Sequence, residues 1–226
     1  MLWGRMPLLD SPRFKPGDIE HWRRMEQLDR RWAQTPGFRR RIERAHEHVR
    51  EFLADGPAYV GVSWGKDSVV VAHLVASVDP SVPRLHITWP RFNPDAQRVA
   101  QAGEKLGLSA STYVASQETL FEHDIIAARR QFALPDRYIS GIRAAESATR
   151  TLRLRLHGVS TRATCAPLST WSGEDVFAYL VANDLPVHPA YAMTLGGRLD
   201  RNRLRVDGLG GPGGTGVGRA EWERAY

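Results

Sequence analysis

The stretch from Tyr59 to Val78 constrains this chain more than any other. A short apolar run, Tyr59-Val60-Gly61-Val62, ends in a glycine turn, and Asp67–Val78 then reads as a largely apolar helix. A strand that passes straight into a helix suits a parallel sheet, whose neighbouring strands need helical crossovers. The following residues keep the same rhythm. Arg84–Trp89 reads as a second strand, Asp95–Leu106 as a helix closed by Gly107, and Ser111–Ala115 as a third strand. Thr119–Phe132 reads as another helix and Tyr138–Ile142 as a fourth strand. This alternation predicts an α/β fold, a mostly parallel sheet with helices on both faces. Thr151–His157 alternates leucine with polar residues and fits a strand or a helix end equally. Gly173–Asn183 reads as a helix, with Ser172 as N-cap and Glu174-Asp175 in its first turn.

Residues 17–54 read as helical before the alternation begins. Ile19, Trp22, Met25, Leu28 and Trp32 recur at three- and four-residue steps, Pro36-Gly37 breaks the pattern, and Phe38–Leu53 resumes it. After Met193 the composition shifts to glycine and arginine, and Gly208–Gly218 reads as a mobile loop. The expected organisation is an N-terminal helical extension (1–54), an α/β domain (55–195) and a Gly/Arg-rich tail (196–226).

With 226 residues, 42% of them hydrophobic, the chain can bury a core. No apolar run reaches membrane-spanning length and Met1–Pro16 lacks a signal-peptide core, so a cytoplasmic protein is expected, without membrane attachment. The single Cys165 rules out an internal disulfide. With no second thiolate and no histidine pair at ligand spacing, neither an iron–sulfur cluster nor zinc is expected. The net charge of +6 comes almost wholly from arginine, since Lys15, Lys66 and Lys105 are the only lysines. Solvated helix faces account for that excess, with an anionic partner such as nucleic acid as the sharper alternative.

A lysine kept inside a glycine loop stands apart from that basic set. Ser63-Trp64-Gly65-Lys66-Asp67-Ser68 joins strand to helix, where backbone N–H groups converge at the positive end of the helix dipole. Gly65 admits phosphate oxygens close to the main chain, Ser63 and Ser68 add hydroxyls, and Lys66 adds positive charge. Asp67 makes sense as a cap or a Mg²⁺ ligand. The spacing is not that of a Walker loop. Gly61-Val62-Ser63-Trp64-Gly65 also fits the nucleophile elbow of serine α/β-hydrolases, with Asp184 and His188 available downstream, but the residues before it read as helix rather than strands. Further on, Gly141 to Arg150 places Arg143, Glu146, Ser147 and Arg150 at i, i+3, i+4 and i+7, one face of a helix.

The loop resembles the S-x-G-x-D-S pyrophosphate loop of the adenine-nucleotide α-hydrolase-like superfamily, apart from Trp64 where glycine is frequent. Gly141–Arg150 resembles the G-x-R-x-x-E-S-x-x-R segment of proteins like phosphoadenosine-phosphosulfate (PAPS) reductase. Pro167-Leu168 with Trp171, Ser172, Asp175 and Val176, then Leu185-Pro186, Pro189 and Tyr191, is similar to a third segment of that family. The resemblance implies a Rossmann-like fold that binds ATP or a PAPS-like adenine nucleotide through residues 63–68, with Arg143 and Arg150 on an anionic group and Glu146 orienting one guanidinium. Trp171 and Tyr191 are read as packing residues. It further implies Lys66 and Asp67 in catalysis, Mg²⁺ as a cofactor, and cleavage of ATP at its α-phosphate for a modification or sulfur-transfer reaction. An acceptor with nucleic acid among the candidates, a sulfur-donor protein and an oligomer belong to the same expectation. Sulfonucleotide reductases use a cysteine in a C-terminal segment, and residues 196–226 contain none. A sulfonucleotide reductase and a non-catalytic nucleotide-binding subunit therefore stay as alternatives.

Overall fold

A computed structural model describes residues 7–88, 94–115, 121–204 and 206. Two helices lead the chain, α1 (Asp18–Ala33) and α2 (Pro36–Ala54). The break between them falls at Gln34-Thr35. Pro36 opens α2 rather than interrupting it, because its missing N–H costs nothing at a first helical position, and Thr35 accepts the Phe38 N–H as N-cap. Then come β1 (Ala58–Gly61), α3 (Lys66–Val78), β2 (Arg84–Thr88), α4 (Pro94–Glu104), β3 (Ser111–Val114), α5 (Phe121–Gln131) and β4 (Arg137–Ile139). They are followed by α6 (Ala148–His157), β5 (Thr164–Cys165) and α7 (Gly173–Ala182). Thr151–His157 is thus helix. Trp89 and Gly208–Gly218 lie outside the described residues.

The five strands form one parallel sheet in the order β3-β2-β1-β4-β5. The chain runs outward from β1 through β2 to β3, then returns to lay β4 on the other side of β1. This Rossmann-like order has its switch point between β1 and β4, where a crevice opens beyond the carboxyl ends of the strands. Helix α3 explains its apolar sequence by its place: Val69, Val70, Val71, Leu74 and Val75 are at most 1% exposed, and α3 contacts β1, α2 and α7. The N-terminal helices belong to the same core. Trp22 of α1 meets Phe177 of α7 edge-on, and Phe38 of α2 meets Trp171. Buried Asp18 closes the ring of elements, accepting backbone N–H groups from Lys15, Thr194 and Gly196.

His188 follows α7 in this core, its Nδ1 accepting the Ala190 N–H at 3.1 Å, and burial pushes its pKa down to about 4. Burial also lowers the pKa values of His21, His46, His73 and His86. An unfolded chain binds protons at these sites near pH 6.5 while the native protein does not, so stability rises with pH across that window. Acidification from about pH 7 to about pH 5 is expected to cost about 2 kcal/mol through His188, with the other four acting in the same direction. Urea midpoints measured across that range test this; a flat profile, or greater stability in acid, would contradict it.

Candidate functional site

At the switch point, the turn after β1 is held by its own serines. The Ser63 N–H and hydroxyl both donate to Ser68 Oγ, at 3.1 and 3.3 Å, and the Ser68 hydroxyl donates to Gly65 O at 3.0 Å. Ser68 is therefore the staple of the loop. Trp64 takes the left-handed conformation, φ 61°, and wedges its buried ring against Gly103, where an added Cβ would lie 2.8 Å from the indole. A Cβ on Gly65 would meet the Tyr191 hydroxyl at 3.3 Å and Ser63 Oγ at 3.5 Å. At the start of α3 the Lys66 N–H is taken by the Tyr191 hydroxyl at 3.1 Å. The next two N–H groups, of Asp67 and Ser68, precede the first intrahelical partner and have no acceptor among the described residues.

Behind this turn lie the charges. Lys66 is buried, with Nζ 3.1 Å from Asp67 Oδ2, 3.4 Å from Leu204 O and 5.0 Å from the Tyr191 ring centroid. Buried Arg143 donates from Nε to Asp67 Oδ1 at 2.5 Å. Two cations therefore offset one carboxylate beneath the loop, so Asp67 presents no net negative charge to an incoming anion. Gly141 permits this approach, because a Cβ there would sit 2.7 Å from the Asp67 carbonyl.

The segment from Arg143 to Arg150 is not one helical face. Ala144–Glu146 forms a 3-10 turn, and Ser147 is extended at φ −165° and caps α6 by accepting the Arg150 N–H. The physical reason is the cap: Ser147 spends its side chain on starting a new helix instead of continuing one. As a result Arg143 and Arg150 point to different places. Glu146 accepts the Arg143 backbone N–H at 3.0 Å and pairs with the Arg150 guanidinium, so the guanidinium it orients is that of Arg150.

An open cleft of about 330 Å³ lies over β1, β2 and β4. Ser63, Asp67, Ser68, Glu146 and Arg150 line its polar end, and Tyr59, Leu85, Ile87, Ile125 and Tyr138 its apolar wall. Of the residues singled out from sequence, Trp64, Gly65, Lys66 and Arg143 are absent from that lining and sit behind or beneath it. The apolar wall was missed. The signal was available in period two, since Tyr59 and Gly61, Leu85 and Ile87, and Tyr138 and Ser140 each share one sheet face. Tyr191, read as packing, also bonds the loop.

The hydrolase arrangement finds no support in this geometry. Ser63 meets Ser68 rather than an imidazole, the left-handed residue of the turn is Trp64, and His188 is engaged with the Ala190 N–H. Cys165 lies in β5, fully buried, and burial pushes its thiol up to about 11. Native protein at about pH 8 is expected to resist a thiol reagent that labels the urea-unfolded chain completely. Fast stoichiometric labelling of the native state would overturn that reading of Cys165.

Fold and cleft together define a Rossmann-like α/β protein with a strand–loop–helix turn at its switch point. Residues 132–197 match the phosphoadenosine phosphosulfate reductase domain, a span that holds the arginine segment and α7 but not the 63–68 loop. The chain is 27% identical over 193 residues to the phosphoadenosine 5'-phosphosulfate reductase of Xanthomonas oryzae pv. oryzae (strain PXO99A), covering 74% of this chain and 78% of the relative. The enzyme of the same name from Xanthomonas axonopodis pv. citri (strain 306) gives 27% over 192 residues, with the same coverage. An adenosine 5'-phosphosulfate reductase from Chelativorans sp. (strain BNC1) gives 27% over 164 residues, 64% of this chain and 67% of the relative. The chain is thus similar, over these spans, to the PAPS reductase-like family of the adenine-nucleotide α-hydrolase-like superfamily. No described helix is long and apolar enough to cross a membrane.

Proposed function

We propose that the cleft binds an adenine nucleotide, and that the chain cleaves ATP between its α- and β-phosphates for a modification or sulfur-transfer reaction. The observation that carries the binding is the pairing of open Asp67 and Ser68 N–H groups at the α3 N-terminus with Arg150 opposite them. Phosphate oxygens accept from those N–H groups and from Ser63, once its hydroxyl turns from Ser68, and Arg150 holds a second oxyanion. The base lies along Tyr59, Leu85, Ile87 and Tyr138. Lys66 and Arg143 act from beneath the loop as positive charges that favour departure of pyrophosphate. The acceptor's oxygen, or water, attacks the α-phosphorus, the bond to the bridging oxygen breaks, and pyrophosphate leaves with the electron pair. A sulfur-donor protein and the acceptor, a nucleic-acid base among the candidates, are partners of this proposal.

The residues do not fit Mg²⁺ as a protein-held ion. Asp67 faces Arg143 with one oxygen and Lys66 with the other, and no cluster of three or more metal-ligating side chains occurs among the described residues. The mechanism therefore takes no step through it.

Reduction of a sulfonucleotide is the second reading, favoured by the names of the relatives. That chemistry needs a thiolate, and buried Cys165 with its raised pKa does not offer one. A thiolate must then come from elsewhere. Incubation with α-labelled ATP and, separately, with sulfur-labelled PAPS plus thiol distinguishes the two. AMP and pyrophosphate from ATP support the cleavage proposed here. ADP and phosphate as sole products refute it, and sulfite release from PAPS alone installs the reductase reading. Arg150→Ala is expected to weaken nucleotide binding by about 1–3 kcal/mol in a calorimetric titration.

A further inference from the structure

None of the ten residues of α6 is buried, and its main packing partner is the short Ala144–Glu146 turn that leads into it. A helix in a folded protein is ordinarily held by an apolar face packed on its neighbours; here the larger part of that face points to solvent. Leu152 and Leu156 are 56% and 67% exposed, the latter more than any other large apolar side chain among the described residues. At about 100° per residue, Ala148, Leu152 and Leu156 form one ridge, on the side of α6 away from Arg150, which lines the cleft. Arg155 borders the ridge on one side and Arg153 on the other. Charge says what covers this face. From Ser147 to Gly173 the chain carries Arg150, Arg153, Arg155 and Arg162, and no aspartate or glutamate. Arg150 is offset by Glu146, whereas Arg153, Arg155 and Arg162 pair with no carboxylate among the described residues.

We propose that the outer face of α6 docks an acidic amphipathic helix of a partner protein. The partner's apolar stripe covers Leu152 and Leu156, and carboxylates on its flanks meet Arg153 and Arg155. Other occupants satisfy only half of this face. A second copy would set arginine against arginine. A nucleic-acid backbone would satisfy the arginines but leave the leucine ridge without an apolar partner. Membrane binding scales with buried apolar area, and two leucines on a short helix offer little. The docked helix lies across α6 from the cleft. Because none of these side chains lines the cleft, the inference stands independently of the nucleotide reading.

The probe is a synthetic, fluorescein-labelled peptide built as an acidic amphipathic helix, with leucine at i, i+3, i+4 and i+7 and glutamate on both flanks. One control peptide replaces the glutamates by lysine, another the leucines by serine. Fluorescence anisotropy reads binding to the full chain as wild type, as Leu152→Gln with Leu156→Gln, and as Arg155→Glu, with unchanged thermal melting as the control for folding. The expected result is saturable binding of the acidic peptide, weakened about tenfold or more by the leucine changes and by Arg155→Glu, and no binding of either control. Calorimetry with AMP should give the wild-type affinity in both variants. The proposal is refuted if the acidic peptide does not bind, if its binding ignores the leucine changes, or if the lysine peptide binds equally well. Binding of a single-stranded oligonucleotide that Arg155→Glu abolishes and the leucine changes leave intact, with no peptide binding, would make this a nucleic-acid surface instead. Sedimentation of the wild type as a dimer that the leucine changes dissociate would make the occupant a second copy, and overturn the proposal too. Absence of AMP binding in the wild type defeats the nucleotide reading alone, and the peptide measurement still decides the docking face.

Discussion

Replacing Asp67 by alanine is expected to destabilise the protein by about 3–5 kcal/mol, because it leaves buried ions without their counter-charge. Lys66 and Arg143 have side chains 2% and 3% exposed, and each lies on a different oxygen of Asp67. Without that carboxylate, two buried cations face each other across the start of α3. Their repulsion, together with lost desolvation compensation, opens the loop. Nucleotide binding should fall with it, since the cradle is built on the same turn. Asp67→Asn keeps the shape and part of the hydrogen bonding, so it should lose less stability than alanine. Urea denaturation of both variants checks the order. A loss within about 1 kcal/mol for alanine would mean that the ion pairs are not what holds the loop.

Arg201→Met is expected to have a similar effect where α1 packs on α7. Arg201 is 4% exposed, bonds Asp29 at 2.6 Å and lies 4.0 Å from the Phe177 ring centroid. Its removal strands buried Asp29 on α1, at a cost of about 3–5 kcal/mol near neutral pH. Burial already raises the Asp29 pKa despite the Arg201 hydrogen bond, so the carboxyl group takes a proton more readily in the native state than when unfolded. Acidification therefore neutralises the orphaned carboxyl, and the deficit of Arg201→Met relative to wild type should shrink as pH falls toward the ordinary carboxylate range. Replacing both residues, Asp29→Leu with Arg201→Met, should recover most of the loss, as apolar substitutes for buried pairs commonly do. A double variant as unstable as the single one would show that the pair contributes more than its own neutralisation.

Much of the architecture was legible because it rests on local periodicity. Tyr59–Val62, Arg84–Thr88 and Ser111–Val114 announce strands by short apolar or β-branched runs, and α3 announces itself by an uninterrupted apolar register. What could not be read is which strands are neighbours. The β1–β4 pairing that opens the crevice joins Val60 to Ile139, far apart in the chain, and no local signal encodes it. The site divides the same way. The 63–68 turn was found as a unit, whereas its inward-facing lysine depends on Tyr191 and Leu204, and the Asp67–Arg143 bond joins residues 76 apart. The single-helix reading of Arg143–Arg150 went astray for a local reason. Matching i, i+3 and i+4 spacing ignored Ser147, whose capping preference ends one turn and starts another.

A structure of the protein crystallised with saturating ATP, and in parallel with adenosine 3',5'-bisphosphate, tests the central claim most directly. Phosphate oxygens should lie within hydrogen-bond distance of the Asp67 and Ser68 N–H groups and of Arg150, with the base against Tyr59 and Tyr138. A cleft that stays empty at saturating nucleotide, or a nucleotide bound away from α3, would contradict it.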